Sequence, residues 1–255
     1  MGERKKYHRG RRKKKKGGII STLILIIAIA VFCVSGYQLY KIFGGYHQGK
    51  SEYDKVREVA VHGDDKDEDE FVVDFDELKK INADTVGWIR FYPEPSQISY
   101  PLVQTTDNDL YLNRTFSANE NTVGAIFVNC DNASDFSDRN TIIYGHRMRD
   151  HSMFHDLEKY KDESFWKENP YFYIYTPDGR KLTCHIYSAG IVKDTSSTYL
   201  TQFASDEEYQ AFLDDTKRAG AYHTGVEVTT DQRVVTLSTC TAASDDNRMV
   251  VRGVI

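Results

Sequence analysis

Residues Ile19 to Tyr37 read IISTLILIIAIAVFCVSGY, nineteen consecutive positions without a charge. As a helix this stretch rises about 28 Å, close to the hydrocarbon thickness of a bilayer. Such a run commits the chain to one spanning helix with its folded part on one side. Ten of the first 18 residues are Lys or Arg, against the single acid Glu3. Positive charge ahead of the span and little after it place the N-terminus in the cytoplasm and everything beyond about Gln38 outside the cell. The basic tail over 1–18 then needs no role beyond setting topology and touching anionic lipid. Two other readings of the span are weaker. A cleaved signal peptide would have a shorter apolar run, and Val34-Ser35-Gly36 is a poor cleavage site. A lipoprotein signal ending at Cys33 would need a small residue where Phe32 stands.

Charge separates the tail from the body. Of 33 bases and 38 acids in the whole chain, the first 18 residues take ten and one, leaving 23 bases against 37 acids. So acidic a body argues against a nucleic-acid partner. Residues 38 to 70 contain Gly44-Gly45 and end in the acidic run Asp64-Asp65-Lys66-Asp67-Glu68-Asp69-Glu70. This composition predicts a solvated stalk, with helix continuing through Lys55 to Val59. The division expected is therefore a tail over 1–18, an anchor over 19–37, a stalk over 38–70 and a folded domain over 71–255.

Strand signals dominate the domain. Asp74 to Ile81 predicts a helix capped by Asp74. After it come Thr85 to Phe91, Ser99 to Gln104, Gly124 to Asn129 and Thr141 to Tyr144, all short β-branched or aromatic runs. Tyr171 to Thr176 and Lys181 to Val192 flank the turn Pro177-Asp178-Gly179 and predict a hairpin. Arg233 to Thr239 and Arg248 to Ile255 close the chain. Ser205 and Glu208 form a capping box ahead of Tyr209, Phe212 and Leu213, which predicts one late helix stopped at Gly220. About eight strands with few helices read as a closed β-barrel or a sandwich.

Four cysteines remain to be placed. Cys33 is inside the span, so the domain holds an odd set, Cys130, Cys184 and Cys240. A Cys130–Cys184 bridge is open to an extracellular domain, but two unpaired core thiols are the favoured reading. Cys240 ends the apolar run VVTLSTC just before a polar loop, where a thiol is accessible. Arg248 begins the next strand, seven residues intervening. If the two strands pair antiparallel, its guanidinium stands beside the thiol and can stabilise a thiolate or an oxyanion. His146 follows the strand run TIIYG and supplies the proton donor that acyl transfer by Cys needs. His151 and His155 raise a metal alternative, but no matching Cys or acidic ligand pattern is evident nearby, so no metal or other cofactor is expected. Ser238 shares the face of Cys240 on its strand. Tyr144 and Tyr187 could line a groove, with core packing the simpler reading for both.

TLSTC at Thr236 to Cys240 followed by Arg248 resembles the sortase active-site signature. YGHRMRDHSMF at Tyr144 to Phe154 is similar to the histidine segment of class B sortases. So are GWI at Gly87, YPLVQ at Tyr100 followed by DNDLYL, and GAIF at Gly124. The likeness covers about residues 74 to 255. It implies a mainly β fold: an eight-stranded sortase barrel with an N-terminal helical extension and a helix before the last two strands. It also implies a triad of His146, Cys240 and Arg248, with Ser238 and Asn108 as substrate contacts. Sortases cut a C-terminal sorting signal after Thr, hold the fragment as a thioacyl enzyme, and pass it to an amine of peptidoglycan or its lipid-linked precursor. The partners implied are thus secreted proteins bearing such a signal, in a Gram-positive bacterium. The class default is an NPxTN-type signal. The short loop between Cys240 and Arg248 keeps SPxTG and NPxTG types open.

Several rivals fit less well. A housekeeping or pilin-type sortase would take an LPxTG-like signal, and pilus polymerases usually add an N-terminal lid, for which no motif is evident. An L,D-transpeptidase places His and Cys close together, whereas 94 positions separate His146 from Cys240. A papain-like protease puts Cys first, on a helix. A catalytically silent, membrane-tethered binding module would be expected to have lost a triad position.

Overall fold

The computed structural model describes residues 17–63, 70–244 and 246–255. The basic residues of the tail and residues 64–69 of the acidic run lie outside the described residues. The chain divides into two compact units, residues 1–44 and 45–255. Helix α1, Gly17–Ala60, runs through both.

In the first unit the apolar side chains Leu23, Ile24, Leu25, Ile26, Ile27, Ile29, Val31, Phe32 and Val34 are all exposed. Ser21 and Thr22 donate back to the Gly18 carbonyl at 3.1 and 2.7 Å, so neither hydroxyl is left bare on an apolar helix. By length and composition this helix is a candidate membrane span.

In the second unit the same helix enters the core. Tyr53, Val56 and Ala60 fall at i, i+3 and i+7 and are buried. The Tyr53 hydroxyl donates to the Gly124 carbonyl at 2.7 Å and accepts from the Phe116 N–H at 3.2 Å. Composition predicts a solvated stalk over 38–70, whereas this face of the helix is packed. The packed face differs because Lys50, Glu52, Asp54 and Lys55 dominate the average, while the apolar residues between them share one side.

Beyond α1, β1 (Val61–His62) pairs antiparallel with β2 (Val72–Val73). Helix α2, Phe75–Ile81, starts where expected, with the Asp74 carboxylate accepting from the Glu77 N–H at 3.0 Å. Eight strands then form a closed barrel. They are β3 (Thr85–Phe91), β4 (Ser99–Val103), β5 (Ile126–Val128), β6 (Asn140–Tyr144), β7 (Tyr171–Tyr175), β8 (Lys181–Lys193), β9 (Val234–Cys240) and β10 (Asn247–Val254). Their order around the barrel is β10-β8-β7-β3-β4-β5-β6-β9. Closure leaves no free edge, which a sandwich of the same strands would have. Two joins are parallel, β4 with β5 and β6 with β9. Trp88, Phe91, Phe172, Ile174, Leu237 and Val251 are among the buried residues of the main core around these strands.

Two helices sit between strands: α3 (Glu163–Glu168) and α4 (Asp206–Arg218). Ser205 caps α4 as expected, accepting from the Glu208 N–H at 3.3 Å. The Glu208 carboxylate reaches the Ala204 N–H at 2.6 Å, one residue beyond the usual capping-box partner. Tyr209, Phe212 and Leu213 bury one face of α4 in a smaller core with Tyr187 and Val254. Tyr187 is thus a packing residue, as expected.

Candidate active site

The hairpin of β9 and β10 sets Cys240 directly opposite Arg248. Val234 to Thr239 are buried along β9, and Cys240 is the first exposed residue at its end. The thiol therefore emerges where a rigid strand gives way to the loop, and that loop is pinned by the Thr241 N–H on the Asn247 carbonyl at 3.3 Å.

On the other side of β9 lies β6, in parallel register, with Tyr144 facing Ser238. The Gly145 N–H donates to the Ser238 carbonyl at 3.2 Å, continuing the ladder to the residue before His146. The His146 Nε2 is 2.7 Å from the Leu112 carbonyl. A carbonyl only accepts, so Nε2 carries the proton and Nδ1 is the basic nitrogen of the neutral ring. Behind the ring lies Gly124 at φ +66°. A Cβ there would come within 2.8 Å of His146 Cδ2, 2.8 Å of the Tyr111 carbonyl oxygen and 2.9 Å of the Leu112 carbonyl oxygen. Glycine is needed twice over at this position, for its backbone conformation and for the space it leaves.

Arg248 is held from both sides. Its Nη2 lies 3.6 Å from Asp194 Oδ2, and its Nη1 donates to the Asn247 carbonyl at 3.1 Å. The pairing of their strands sets this guanidinium beside the thiol at the same end of the barrel.

A cleft of about 240 Å³ joins these groups, with Asn108, Leu112, Phe127, Tyr144 and Ser238 among its walls. Ser238 and Asn108, expected as substrate contacts, both line it and are linked through two stacked tyrosines and Asn129. The Ser238 hydroxyl bonds the Tyr199 hydroxyl at 2.9 Å, and the Tyr199 ring stacks on Tyr144. The Tyr144 hydroxyl accepts from Asn129 Nδ2 at 3.2 Å, and Asn129 Oδ1 faces Asn108 Nδ2 at 3.4 Å. Burial pushes the Tyr144 phenol up to about 12, so it remains neutral. Tyr144 thus lines the cleft instead of only packing, because β6 ends there and its ring is half-buried.

The other residues singled out lie elsewhere. Cys130 and Cys184 are both free thiols, the first half-buried and the second buried. His151 and His155 stand apart from the cleft walls and meet Asp156, an acidic neighbour that the sequence reading did not pair with them. Leu112, Gly124, Asp194 and Tyr199 are among the contributors that were missed. Leu112 and Gly124 sit inside the recognisable runs DNDLYL and GAIF. Nothing local marks Asp194 or Tyr199, which are 54 and 39 residues from their partners.

An exposed thiol, an imidazole and a guanidinium thus meet at one end of a closed barrel, and the chain belongs to the sortase family, within its class B, a family of cysteine transpeptidases. The sortase-domain profile matches residues 94–255. The chain is 31% identical to sortase B of Staphylococcus aureus over 231 residues, 90% of this chain and 93% of that one. It is also 31% identical to sortase B of Listeria monocytogenes, over 90% of this chain and 94% of that protein. Among solved structures, sortase B from B. anthracis in complex with AAEK1 superposes with a TM-score of 0.72 at 33% identity, covering 84% of this chain and 98% of that one. A Staphylococcus aureus sortase B–substrate complex gives a TM-score of 0.66 at 36% identity, covering 71% and 84%. A further sortase B, complexed with triglycine, gives 0.66 at 36% identity over 71% and 85%.

Proposed function

We propose that this protein cleaves a C-terminal sorting signal after Thr and transfers the fragment it holds through the Thr carbonyl to a peptidoglycan amine, or to the amine of a lipid-linked precursor. The observation that carries the reading is the placement of Cys240 across the hairpin from Arg248, with His146 just beyond the parallel neighbour of the same strand.

Cys240 Sγ attacks the scissile carbonyl of the Thr, and its proton passes to His146. Negative charge develops on the carbonyl oxygen, where the Arg248 guanidinium stabilises it. The C–N bond breaks as His146 returns the proton to the departing amine. The thioacyl enzyme is then attacked by the acceptor amine, whose proton goes to His146 and then to the Cys240 thiolate as the new amide forms. No cofactor takes part. Ser238 and Asn108 contact the signal peptide from the cleft wall. The substrate and triglycine complexes of the sortase B relatives support a peptide in this cleft and an amine as acceptor.

The anchor over 19–37, with its basic cytoplasmic tail, holds the catalytic domain on the outer face of a Gram-positive cell membrane. NPxTN is the leading signal. The loop from Thr241 to Asp246 is short, and a changed pocket for the residue after the scissile bond makes SPxTG and NPxTG its rivals.

The test is a panel of NPxTN, NPxTG, SPxTG and LPxTG peptides given to the full chain in detergent, with an amine acceptor and with Cys240→Ala as control. Cleavage after Thr in an NPxTN, NPxTG or SPxTG peptide, with an acyl adduct on Cys240 by mass spectrometry, is the expected result. Cleavage of LPxTG alone would indicate a housekeeping or pilin-type enzyme. No cleavage by folded protein would indicate a silent binding module.

A further inference from the structure

The loop after His146 brings together three groups that the acyl transfer does not use. One ligand atom from each of His151, His155 and Asp156 lies within 4.8 Å of the others. The rings of the two histidines stand 4.0 Å apart. Asp156 is 2% exposed, so its carboxylate is a buried charge that requires compensation.

The way each group is held is more telling than their proximity. The His155 Nδ1 donates to the Met148 carbonyl. That bond fixes the proton on Nδ1 and leaves Nε2 with a free lone pair, the usual support for a metal-bound imidazole. Asp156 Oδ2 accepts from Lys159 Nζ at 2.9 Å, which orients the carboxylate and leaves Oδ1 turned toward His151. Oδ1 lies 3.1 Å from His151 Nδ1. Zinc bonds of 2.0–2.1 Å in a tetrahedron set neighbouring ligand atoms roughly 3.3 Å apart, so this pair already has nearly the spacing of two ligands on one ion. His151 is mostly exposed, so an ion can enter from solvent.

We propose that His151, His155 and Asp156 form a binding site for one divalent transition-metal ion of the zinc class. Two imidazoles and one carboxylate supply three ligands, and water completes the shell. On binding, the ion replaces the proton that His151 shares with Asp156, and that proton leaves to solvent. Lys159 remains on the outer carboxylate oxygen as its support. The Phe154 N–H donates to the His146 carbonyl at 2.9 Å, so the ion clamps a loop tied directly to the backbone of His146.

The test uses the full chain in detergent, stripped of metal and carrying Cys240→Ala so that no active-site thiol competes. Titration with cobalt(II) is expected to show one equivalent bound, with visible ligand-field bands and no thiolate charge-transfer band, and zinc is expected to displace it. His151→Ala and His155→Gln are each expected to weaken binding by more than about 100-fold, beyond the cost of losing a supporting partner. His151 is itself exposed, and a metal-free melt verifies that the variant folds despite losing the bond to Asp156. Absence of saturable uptake, a thiolate band, or equal uptake by folded His151→Ala would each overturn the proposal.

Discussion

His146 and Cys240 lie 94 residues apart, and 94 is also the offset of the parallel register between β6 and β9, in which Asn140 faces Val234 and Tyr144 faces Ser238. The pairing ends at Tyr144, and the Gly145 N–H still reaches the Ser238 carbonyl, so the strand register delivers the start of the histidine loop to the end of β9 that carries Cys240.

Gly124 backs the His146 ring, so Gly124→Ala is expected to displace it. An L residue at this positive φ costs about 1–2 kcal/mol of stability. Misplacing a catalytic group by about 1 Å can cost 10²-fold in rate. Peptide-cleavage kinetics beside a thermal melt separate the two effects. A variant as active as the parent would show that Gly124 does not set the ring's position.

Tyr53→Phe removes the hydroxyl that joins α1 to the Gly124 carbonyl and leaves the Phe116 N–H without that partner. The loss is expected to be about 1–3 kcal/mol, read as a lower melting temperature. A chain beginning at residue 71 would also lose the buried Tyr53, Val56 and Ala60, and is expected to melt lower still.

For Arg248, replacement by Ala is expected to lower kcat about 10²–10³-fold, the scale of losing one oxyanion donor. Lysine keeps the charge but cannot span Asp194 and the Asn247 carbonyl with one planar group, so Arg248→Lys is expected to recover only part of the rate. Steady-state kinetics of both variants provide the measurement. Full activity in Arg248→Ala would remove this residue from the mechanism.

Much of this was legible from residue order. The eight strands follow from short apolar runs punctuated by turns, and the Asp74 and Ser205 caps follow from local hydrogen-bonding chemistry. Cys240 and Arg248 could be paired because one short loop joins their strands. The packed half of α1 was hidden because its apolar stripe is diluted by charged neighbours, and stripes report on burial only when a partner surface is known. Tyr199 and Asp194 were hidden for another reason. Each reaches the site from a distant segment, and no local pattern encodes a contact made only when the barrel closes.

Acid is expected to loosen the segment after His146. Burial raises the carboxyls of Asp156 and Glu158, but hydrogen bonds outweigh it and hold both below the ordinary range. They come from Lys159 and His151 to Asp156, and from Arg147 and Lys161 to Glu158. A lowered folded-state value means that the unfolded chain binds more protons, so the stabilisation is present above the ordinary carboxyl range and is lost as pH falls through the folded values. The melting temperature is expected to drop below about pH 4. Glu158→Gln is expected to melt lower than the parent at neutral pH and to show a shallower fall in acid. Parallel curves would exclude the Arg147–Glu158 pair as a source.

Brief alkylation of the folded chain is expected to label Cys240 ahead of the other two domain thiols. Cys184 is fully buried, and burial pushes its thiol far up, while Cys130 is pushed up by burial and by the charge of Asp131. Peptide mapping would locate the label, and activity is expected to fall in step with Cys240 modification. Labelling of Cys184 before denaturation would contradict the buried placement.

The barrel strands that carry the thiol and the guanidinium, β9 and β10, are the final two to be synthesised, and β9 is also the strand that seals the barrel against β6. A chain still being synthesised therefore has His146 long before Cys240, and the two come to the same end of the barrel only when that last seam zips shut. Under the proposed function, competence to cut and rejoin peptides arrives together with complete folding, and a half-made molecule has no assembled site.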